Sequence, residues 1–310
     1  MNTVRALQLQ RYGGVDAAKV DRVPAPSPGP GQVVVSVRAA GINALDWKVR
    51  EGYVRDAYPL ALPAVLGIEL AGVVEAVGRG ATRFKAGDRV MGPLGGLGAY
   101  ADLVAVNEAN LCRTPDTLED AQAAALPVSV LAAWQSLNMA GAVRSGQRVL
   151  IHGAAGGLGA FAVQFAKRAG AFVVATASGR DADEVRRLGA DEFIDYREQR
   201  FEELTSDIDL ALDYVGRDVL DRTWQVLSSS GVVVATTSPD ILARTPQGRR
   251  GLWFMMKPDA ALLHTLAQEV AQGRLQSQVG EVVSFDALPA AIERSRRGER
   301  HGKVVVDFSR

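Results

Sequence analysis

The sequence predicts an α/β protein of two domains, one β-rich and one built on a doubly wound parallel sheet. Three observations carry this reading. Up to about Leu118, short apolar runs are punctuated by Gly and Pro, as in a set of strands joined by tight turns. From Val149 to Thr237, strand patterns alternate with helical ones, the rhythm of βαβ units. The last runs leave that rhythm, so the tail is expected to return to the first domain.

The elements follow in order. "VRALQLQRYGG" alternates apolar and polar residues, "GPGQVVVSVRAAG" is a β-branched run entered through Pro28–Gly31, and "LAGVVEAVGRG" and "GDRVMG" are short runs closed by glycine. "TLEDAQAAALPVSVLAAWQSL" is helical in composition and broken by Pro127; Thr117 with Asp120 resembles a capping box. Val149–His152 reads as a strand. Leu158, Phe161, Ala162, Phe165, Ala166 and Ala169 then fall on one helical face. "FVVATAS", "EFIDY", "IDLALDYVG" and "VVVATT" read as strands, with helices predicted over "ADEVRRLGA" and "RDVLDRTWQVLSSSG". The tail adds the amphipathic "PDAALLHTLAQEVAQGRL", closed by Gly273, then "EVVSF", the helical "DALPAAIERSRRG" and a final strand "KVVVDF".

Bulk properties exclude several classes. The 310 residues favour two domains, and Lys plus Arg balances Asp plus Glu at 35 each, which argues against a nucleic-acid binder. The cluster Arg294, Arg296, Arg297 and Arg300 is read as a solvated helix end. Cys112 is the only cysteine, so no disulfide forms within the chain and no cysteine-rich zinc site can be built. The amino-terminal stretch has no apolar core of signal-peptide length, and no run is long enough to span a membrane. A cytoplasmic protein is expected.

Between a strand and a long helix lies "AAGGLG" (154–159), with Ala154 in the place of the first glycine of G-x-G-x-x-G. Backbone N–H groups at such a helix start point outward and the helix dipole favours an anion. Ala155, Gly156, Gly157 and Leu158 are therefore expected to cradle a dinucleotide pyrophosphate. A cofactor without a 2′-phosphate is usually held by an acid at the end of the next strand, about 20 residues on. That strand ends at Thr176-Ala177-Ser178, followed by Gly179-Arg180. A hydroxyl and a guanidinium suit a 2′-phosphate, and Tyr196 can reach the same region, so NADPH is expected. The competing reading makes Ser178 a helix cap, and Asp181 and Asp183 keep NAD open.

The ordered series "GINALDWKVREG", "LGIELAGVVEAVG", "FKAGDRVMG", "AAALPVSVLAAWQSL", "HGAAGGLG", "LGADEFIDY" and "HGKVVVDF" resembles the medium-chain dehydrogenase/reductase superfamily. It is most similar to the zinc-independent quinone oxidoreductase branch, over nearly the whole chain. The resemblance implies a GroES-like β-rich catalytic domain (1–122 and 276–310) and an inserted Rossmann domain that binds NADP (123–275). Zinc members carry Gly-His-Glu where this chain has Gly67-Ile68-Glu69, and a cysteine near Asn43. Isoleucine cannot ligate a metal, and His152, His264 and His301 are scattered, so no metal is expected.

A metal-free site is suited to acceptors that are already electrophilic, such as quinones and α,β-unsaturated carbonyls. The resemblance places Asn43 beside the nicotinamide and substrate, where its amide can donate to a developing oxyanion; the alternative is a turn residue. Lys48 stands where some relatives have tyrosine, and Tyr53 is expected to line the cleft. Relatives often have threonine at Ala132. On the cofactor side the resemblance points to Val215, Thr236, Thr237 and Ser238 at strand ends, and to Lys303 as a cofactor or rim contact. Phe254 and Met255 border either a substrate pocket or a subunit interface, and a homodimer is expected. Two further readings are an enoyl reductase of a biosynthetic pathway and a nucleotide-sensing or RNA-binding protein that keeps the fold.

Overall fold

The computed structural model describes residues 2–56, 59–299 and 302–309; Arg300 and His301 lie outside them. Along the first part of the chain run β1 (Thr3–Leu9), β2 (Ala18–Pro24), β3 (Gln32–Gly41), α1 (Ala44–Arg50), β4 (Ala64–Val65), β5 (Glu69–Val77), β6 (Arg89–Pro93), β7 (Leu103–Asn107), β8 (Cys112–Arg113) and α2 (Asp120–Ala125). Then come α3 (Pro127–Asn138), β9 (Arg148–His152), α4 (Gly157–Arg168), β10 (Phe172–Ala177), α5 (Ala182–Arg187), β11 (Glu192–Asp195), β12 (Ile208–Asp213), α6 (Asp218–Thr223), β13 (Leu227–Ala235), α7 (Ile241–Arg244) and β14 (Arg250–Trp253). The chain closes with α8 (Ala260–Ala271), β15 (Val279–Ser284), α9 (Leu288–Arg296) and β16 (Lys303–Asp307).

The chain divides into two compact units: 1–128 with 258–274 and 279–310, and 129–257 with 275–278. The first unit is β-rich. Its main sheet runs β15-β16-β3-β5-β6-β8, with β7 also on β3, and a smaller sheet runs β2-β1-β4. The strand β3 is buried along nearly all its length because it lies at the centre, paired with β5, β7 and β16. The returning tail is real: β16 pairs antiparallel with β3, and β15 pairs parallel with β16. The helix α8, which the sequence reading assigns to the parallel-sheet domain, groups with the first unit and packs on β8. An amphipathic helix can cover either core, and its periodicity does not say which.

In the second unit the sheet order is β11-β10-β9-β12-β13-β14, all parallel. This is the doubly wound 3-2-1-4-5-6 order, with a switch point at β9. The buried face of α4 includes Phe161, Ala162, Phe165 and Ala166, as the periodicity predicts. Two local readings change. The capping box belongs to Glu119, whose N–H donates to Gln122 Oε1 at 3.1 Å, and Pro127 is the first residue of α3, not simply a break. The helix predicted over 217–231 ends at Thr223, and Leu227–Gly231 opens β13. There Leu227 pairs with Ile208 of β12, the register shifts across the Ser-rich stretch, and regular pairing resumes at Val232 with Leu210.

The helices α1 and α9 meet around Arg50, whose buried Nη2 lies 2.8 Å from both Glu51 Oε1 and Glu293 Oε2. Arg296 pairs with Glu293 at 2.7 Å and Arg294 with Glu281 at 2.6 Å, so the arginines of α9 are engaged with carboxylates. Arg296, and then Arg50, hold the Glu293 carboxyl down to about 2. Its contribution to stability is therefore present above the ordinary glutamate range and lost as the pH falls towards 2. Glu293→Ala is expected to cost about 1–2 kcal/mol at pH 7, an ion-pair cost discounted for solvent beside Glu293. It should also flatten the acid limb of stability below about pH 4.5; urea titrations at pH 7 and pH 3 read both effects.

Candidate functional site

The second unit gathers its glycine turn and strand ends at the carboxyl edge of the sheet. Gly153 leaves β9 with φ +75° and lets the chain turn, and the N–H groups of Gly153 and Ala154 both donate to Thr176 O at 3.1 Å. Gly153, one residue before Ala154, makes the turn. Gly156 caps α4, so Gly157 and Leu158 open its first turn, where N–H groups have no intrahelical acceptor. A Cβ on Gly156 would come 3.3 Å from Gly153 O, whereas one on Gly159 would lie 2.2 Å from the same oxygen. Gly156 therefore keeps the approach open, and Gly159 lets α4 sit against the turn. Ala155 and Leu158 are half-buried in the same loop and first turn. A backbone cradle of this kind fits a pyrophosphate.

The neighbouring strand ends carry the groups predicted for cofactor choice. Ser178 is buried directly after β10, and its carbonyl accepts from Asp181 N–H at 2.8 Å. Arg180 is half-exposed, 3.7 Å from the buried carboxylate of Asp181. Tyr196 is 58 % exposed after β11, with the Arg197 guanidinium 5.9 Å from its ring centroid. Arg197 is a cation that the sequence reading overlooked. Asp195 is turned inward on this loop: its Oδ1 accepts from Arg197 N–H at 3.0 Å, and its other oxygen backs Gly179, where a Cβ would not fit. Further along the edge, Asp213 Oδ1 accepts from the N–H groups of Val215 and Gly216, and Thr236 N–H donates to Asp213 O. Thr237 packs against Gly216, and Ser238 Oγ accepts from Asp240 N–H. Val215, Thr236, Thr237 and Ser238 are thus brought together at the ends of β12 and β13.

The first unit holds a buried polar cluster. Lys303, at the start of β16, is 3 % exposed; its Nζ lies 2.6 Å from Asn43 Oδ1 and 2.5 Å from Glu69 Oε1. Asn43 Nδ2 donates to Glu69 Oε1 at 2.8 Å and to Gly41 O at 3.2 Å. Glu69 Oε2 accepts from Val128 N–H at 2.7 Å. Asn43 caps α1: its N–H donates to Asp46 Oδ2 at 2.7 Å, and Tyr100 OH donates to that same oxygen at 2.6 Å. Burial pushes the Asp46 carboxyl up to about 6, against the pull of Tyr100, Asn43 and Lys303. Among the described residues Asp46 Oδ1 has no hydrogen-bond partner. Glycines make room for the cluster: a Cβ at Gly41 would meet Glu69 Oε1 at 2.3 Å, and one at Gly67 would meet the Tyr100 ring at 2.7 Å.

Several predicted positions change meaning here. Lys303 is not a rim residue; it is an interior cation, because β16 inserts next to β3. Tyr53 is 73 % exposed and stands edge-on to Trp47, with ring centroids 5.9 Å apart. Lys48 is half-buried, its ammonium 5.8 Å from the Trp47 ring centroid. Lys48 sits within α1 and Tyr53 in the loop after it, and the hydrogen bonds of Asn43, Glu69 and Lys303 described above involve neither side chain. Glu69 and Tyr100 were missed as site residues: Glu69 lies in the matched segment Gly67-Ile68-Glu69 but was given no role, Tyr100 lies in no motif, and only the pairing of β3 with β5 brings Glu69 to Asn43.

The remaining candidates are structural. His152 is buried, with Nδ1 3.0 Å from Thr176 Oγ1 and Nε2 3.1 Å from Thr223 Oγ1, and burial pushes it down to about 3. His264 is exposed on α8. Cys112 is buried and its thiol is pushed up to about 12, which makes it inert. Ile68 is half-buried beside Glu69. Among the described residues no group of three or more His, Cys, Asp or Glu side chains is arranged to hold a metal ion. Among them also, no helix is long and apolar enough to cross a membrane.

A doubly wound sheet with a phosphate cradle, joined in sequence to a GroES-like unit, defines a nicotinamide-dependent class of oxidoreductases. Residues 29–116 match the alcohol dehydrogenase GroES-like domain family, and residues 188–306 match the zinc-binding dehydrogenase family. The chain is 35% identical to a chloroplastic quinone-oxidoreductase homolog from Spinacia oleracea, over 98% of each chain. It is 33% identical to the 2-methylene-furan-3-one reductase of Solanum lycopersicum, over 98% of this chain and 79% of that one. The Escherichia coli quinone oxidoreductase complexed with NADPH superposes with a TM-score of 0.89 at 25% identity, over 98% of this chain and 100% of that one. The chain belongs to the medium-chain dehydrogenase/reductase superfamily, in its quinone oxidoreductase branch. It is accordingly an oxidoreductase of a family that binds a nicotinamide cofactor.

Proposed function

We propose that this chain is a zinc-independent, NADPH-dependent reductase of quinones or α,β-unsaturated carbonyls. The observation that carries the reading is the pairing of a backbone phosphate cradle at Gly156-Gly157 with Ser178, Arg180 and Tyr196 at the next two strand ends. Ala155, Gly156, Gly157 and Leu158 would hold the pyrophosphate through the first-turn N–H groups of α4. Ser178, Arg180 and Tyr196, with Arg197 beside them, would take the 2′-phosphate: a hydroxyl and guanidinium groups suit it, and the Asp195 carboxylate on this loop already accepts from Arg197 N–H. Val215, Thr236, Thr237 and Ser238 would border the nicotinamide half. When bound, the nicotinamide supplies the hydride.

The chain's own part is to orient the acceptor and stabilise the charge that appears on its oxygen. Asn43 is the donor assigned to that oxygen, and a proton follows from solvent. Ile68 and Asn43 stand where zinc relatives have metal ligands, which supports a metal-free site. The reductase relatives named above support quinone and enone acceptors for this chain as well. The expected result is NADPH oxidation with 9,10-phenanthrenequinone or a simple enone. Arg180→Ala should weaken NADPH by about ten- to a hundredfold, the loss of one charge-assisted contact, and leave NADH nearly unchanged. Equal losses for both cofactors would remove the 2′-phosphate assignment, and tight NADPH binding without turnover on either acceptor class would remove the catalytic reading.

A further inference from the structure

The hydrogen bonds of the Asn43 carboxamide are not equivalent. The bond to Glu69 Oε1 is short, at 2.8 Å, and charge-assisted; the bond to Gly41 O is long, at 3.2 Å, and neutral. Gly41 O also lies 3.1 Å from Tyr100 OH, whose single proton goes to Asp46 Oδ2 at 2.6 Å. If Asn43 released that carbonyl, Tyr100 would turn its one proton to it while Asp46 Oδ2 kept the Asn43 N–H at 2.7 Å, so neither buried acceptor is orphaned.

The other side of the amide is fixed. Lys303 Nζ lies 2.6 Å from Asn43 Oδ1, and it neutralises Glu69 at 2.5 Å. An ammonium on Oδ1 draws charge from the amide and strengthens its N–H groups as donors. A flipped carboxamide would set Oδ1 against the Glu69 carboxylate and Nδ2 against the ammonium, so one orientation is enforced. Glu69 is itself tied by Val128 N–H at 2.7 Å.

We propose that the Nδ2–H now on Gly41 is the exchangeable donor that Asn43 passes to the oxygen of the reduced acceptor. Lys303, Glu69 and Tyr100 are then positioning residues: Lys303 and Glu69 hold and polarise the amide, and Tyr100 holds Gly41 when Asn43 lets go. Only hydrogen bonds exchange in this step. The inference rests on the reading of Asn43 as the oxyanion donor and extends it to three residues that act through it.

Double-mutant cycles test it. The variants are Asn43→Ala, Lys303→Met, Tyr100→Phe, and each of the last two combined with Asn43→Ala. One readout is kcat with 9,10-phenanthrenequinone; the other is equilibrium binding of 4-nitrophenolate, an oxyanion mimic, followed by its absorbance without turnover. Asn43→Ala is expected to lower kcat about 100-fold, and Lys303→Met and Tyr100→Phe about tenfold each. Neither should lower it further in the Asn43→Ala background, and NADPH affinity should stay unchanged throughout. Phenolate affinity should follow the same pattern, and Lys303→Arg should recover part of the loss.

Multiplicative losses would overturn the proposal, since they would mean that Lys303 and Tyr100 act independently of Asn43. An effect of Tyr100→Phe relayed by Asp46 alone would persist without the Asn43 side chain and would show up in the same way. An unchanged kcat in Lys303→Met, or equal phenolate affinity in the wild type and Asn43→Ala, would overturn it as well. If Lys303→Met fails to fold, Lys303→Arg and the Tyr100 cycle decide. If the wild type reduces no acceptor, the functional reading fails on its own and the phenolate cycle still decides the inference.

Discussion

Gly159→Val is expected to destabilise the second unit severely and to abolish dinucleotide binding with it. The new Cβ would lie 2.2 Å from Gly153 O and 2.6 Å from Ala154 Cα, so the clash is with backbone, where no side-chain rotamer can relieve it. The helix α4 would have to move off the turn that follows β9. A cost of about 3 kcal/mol or more is expected, which corresponds to a fall of roughly 5–10 °C in melting temperature. Gly156→Ala makes the contrast. Its Cβ meets only Gly153 O, at 3.3 Å, so the fold should hold while the methyl group intrudes on the phosphate approach. Thermal melts and NADPH fluorescence titrations of both variants separate the two roles. A Gly159→Val protein that melts and binds like the wild type would remove the packing role assigned here.

Asp46 gives the second large effect, and its sign is opposite to that of Glu293. Burial holds its proton up to about pH 6, above the ordinary aspartate value of 3.8. Between those limits the folded chain binds more protons than the unfolded one, so stability falls as the pH rises through this window and levels off above it. The full swing is about 3 kcal/mol for a shift of about two units. Tyr100 and Lys303 favour the charged form and Glu69 opposes it, so the window belongs to the whole cluster. Asp46→Asn keeps an oxygen for Asn43 N–H and Tyr100 OH, but it cannot titrate. Urea denaturation of both proteins between pH 4 and pH 7 should show the extra loss in the wild type only. Parallel pH profiles would show that Asp46 does not titrate in this range.

Much of the fold was legible because it depends on short-range patterns. The β-branched runs between Gly and Pro became the strands of the first unit, and the alternation after Val149 became the parallel sheet. The face of α4 was visible in the spacing of Phe161, Ala162, Phe165 and Ala166. Where local pattern was ambiguous, tertiary pairing decided. Leu227–Gly231 joined a strand beside β12, and α8 went to the core of the first unit. The cap of α2 moved two residues because Gln122, rather than Asp120, was placed to accept from the capping N–H.

The candidate site divides along the same line. By itself the sequence pointed to a phosphate cradle after β9 and to the arginine and tyrosine at the strand ends, while Asn43 and the missing histidine at Ile68 came from the family resemblance. The cradle and the strand-end residues are residue types at a fixed spacing from a strand or helix end, and such spacing survives in one dimension. Only the tertiary structure decided that Asn43, Glu69, Tyr100 and Lys303 share one buried cluster. These residues come from the cap of α1, β5, the loop before β7 and β16, and the charges of Glu69 and Lys303 can be buried because each partners the other across the sheet. Lys303 shows the difference most plainly: in the sequence it is a lysine near the end of the chain, and in the fold it is a dry cation held between a carboxylate and an amide.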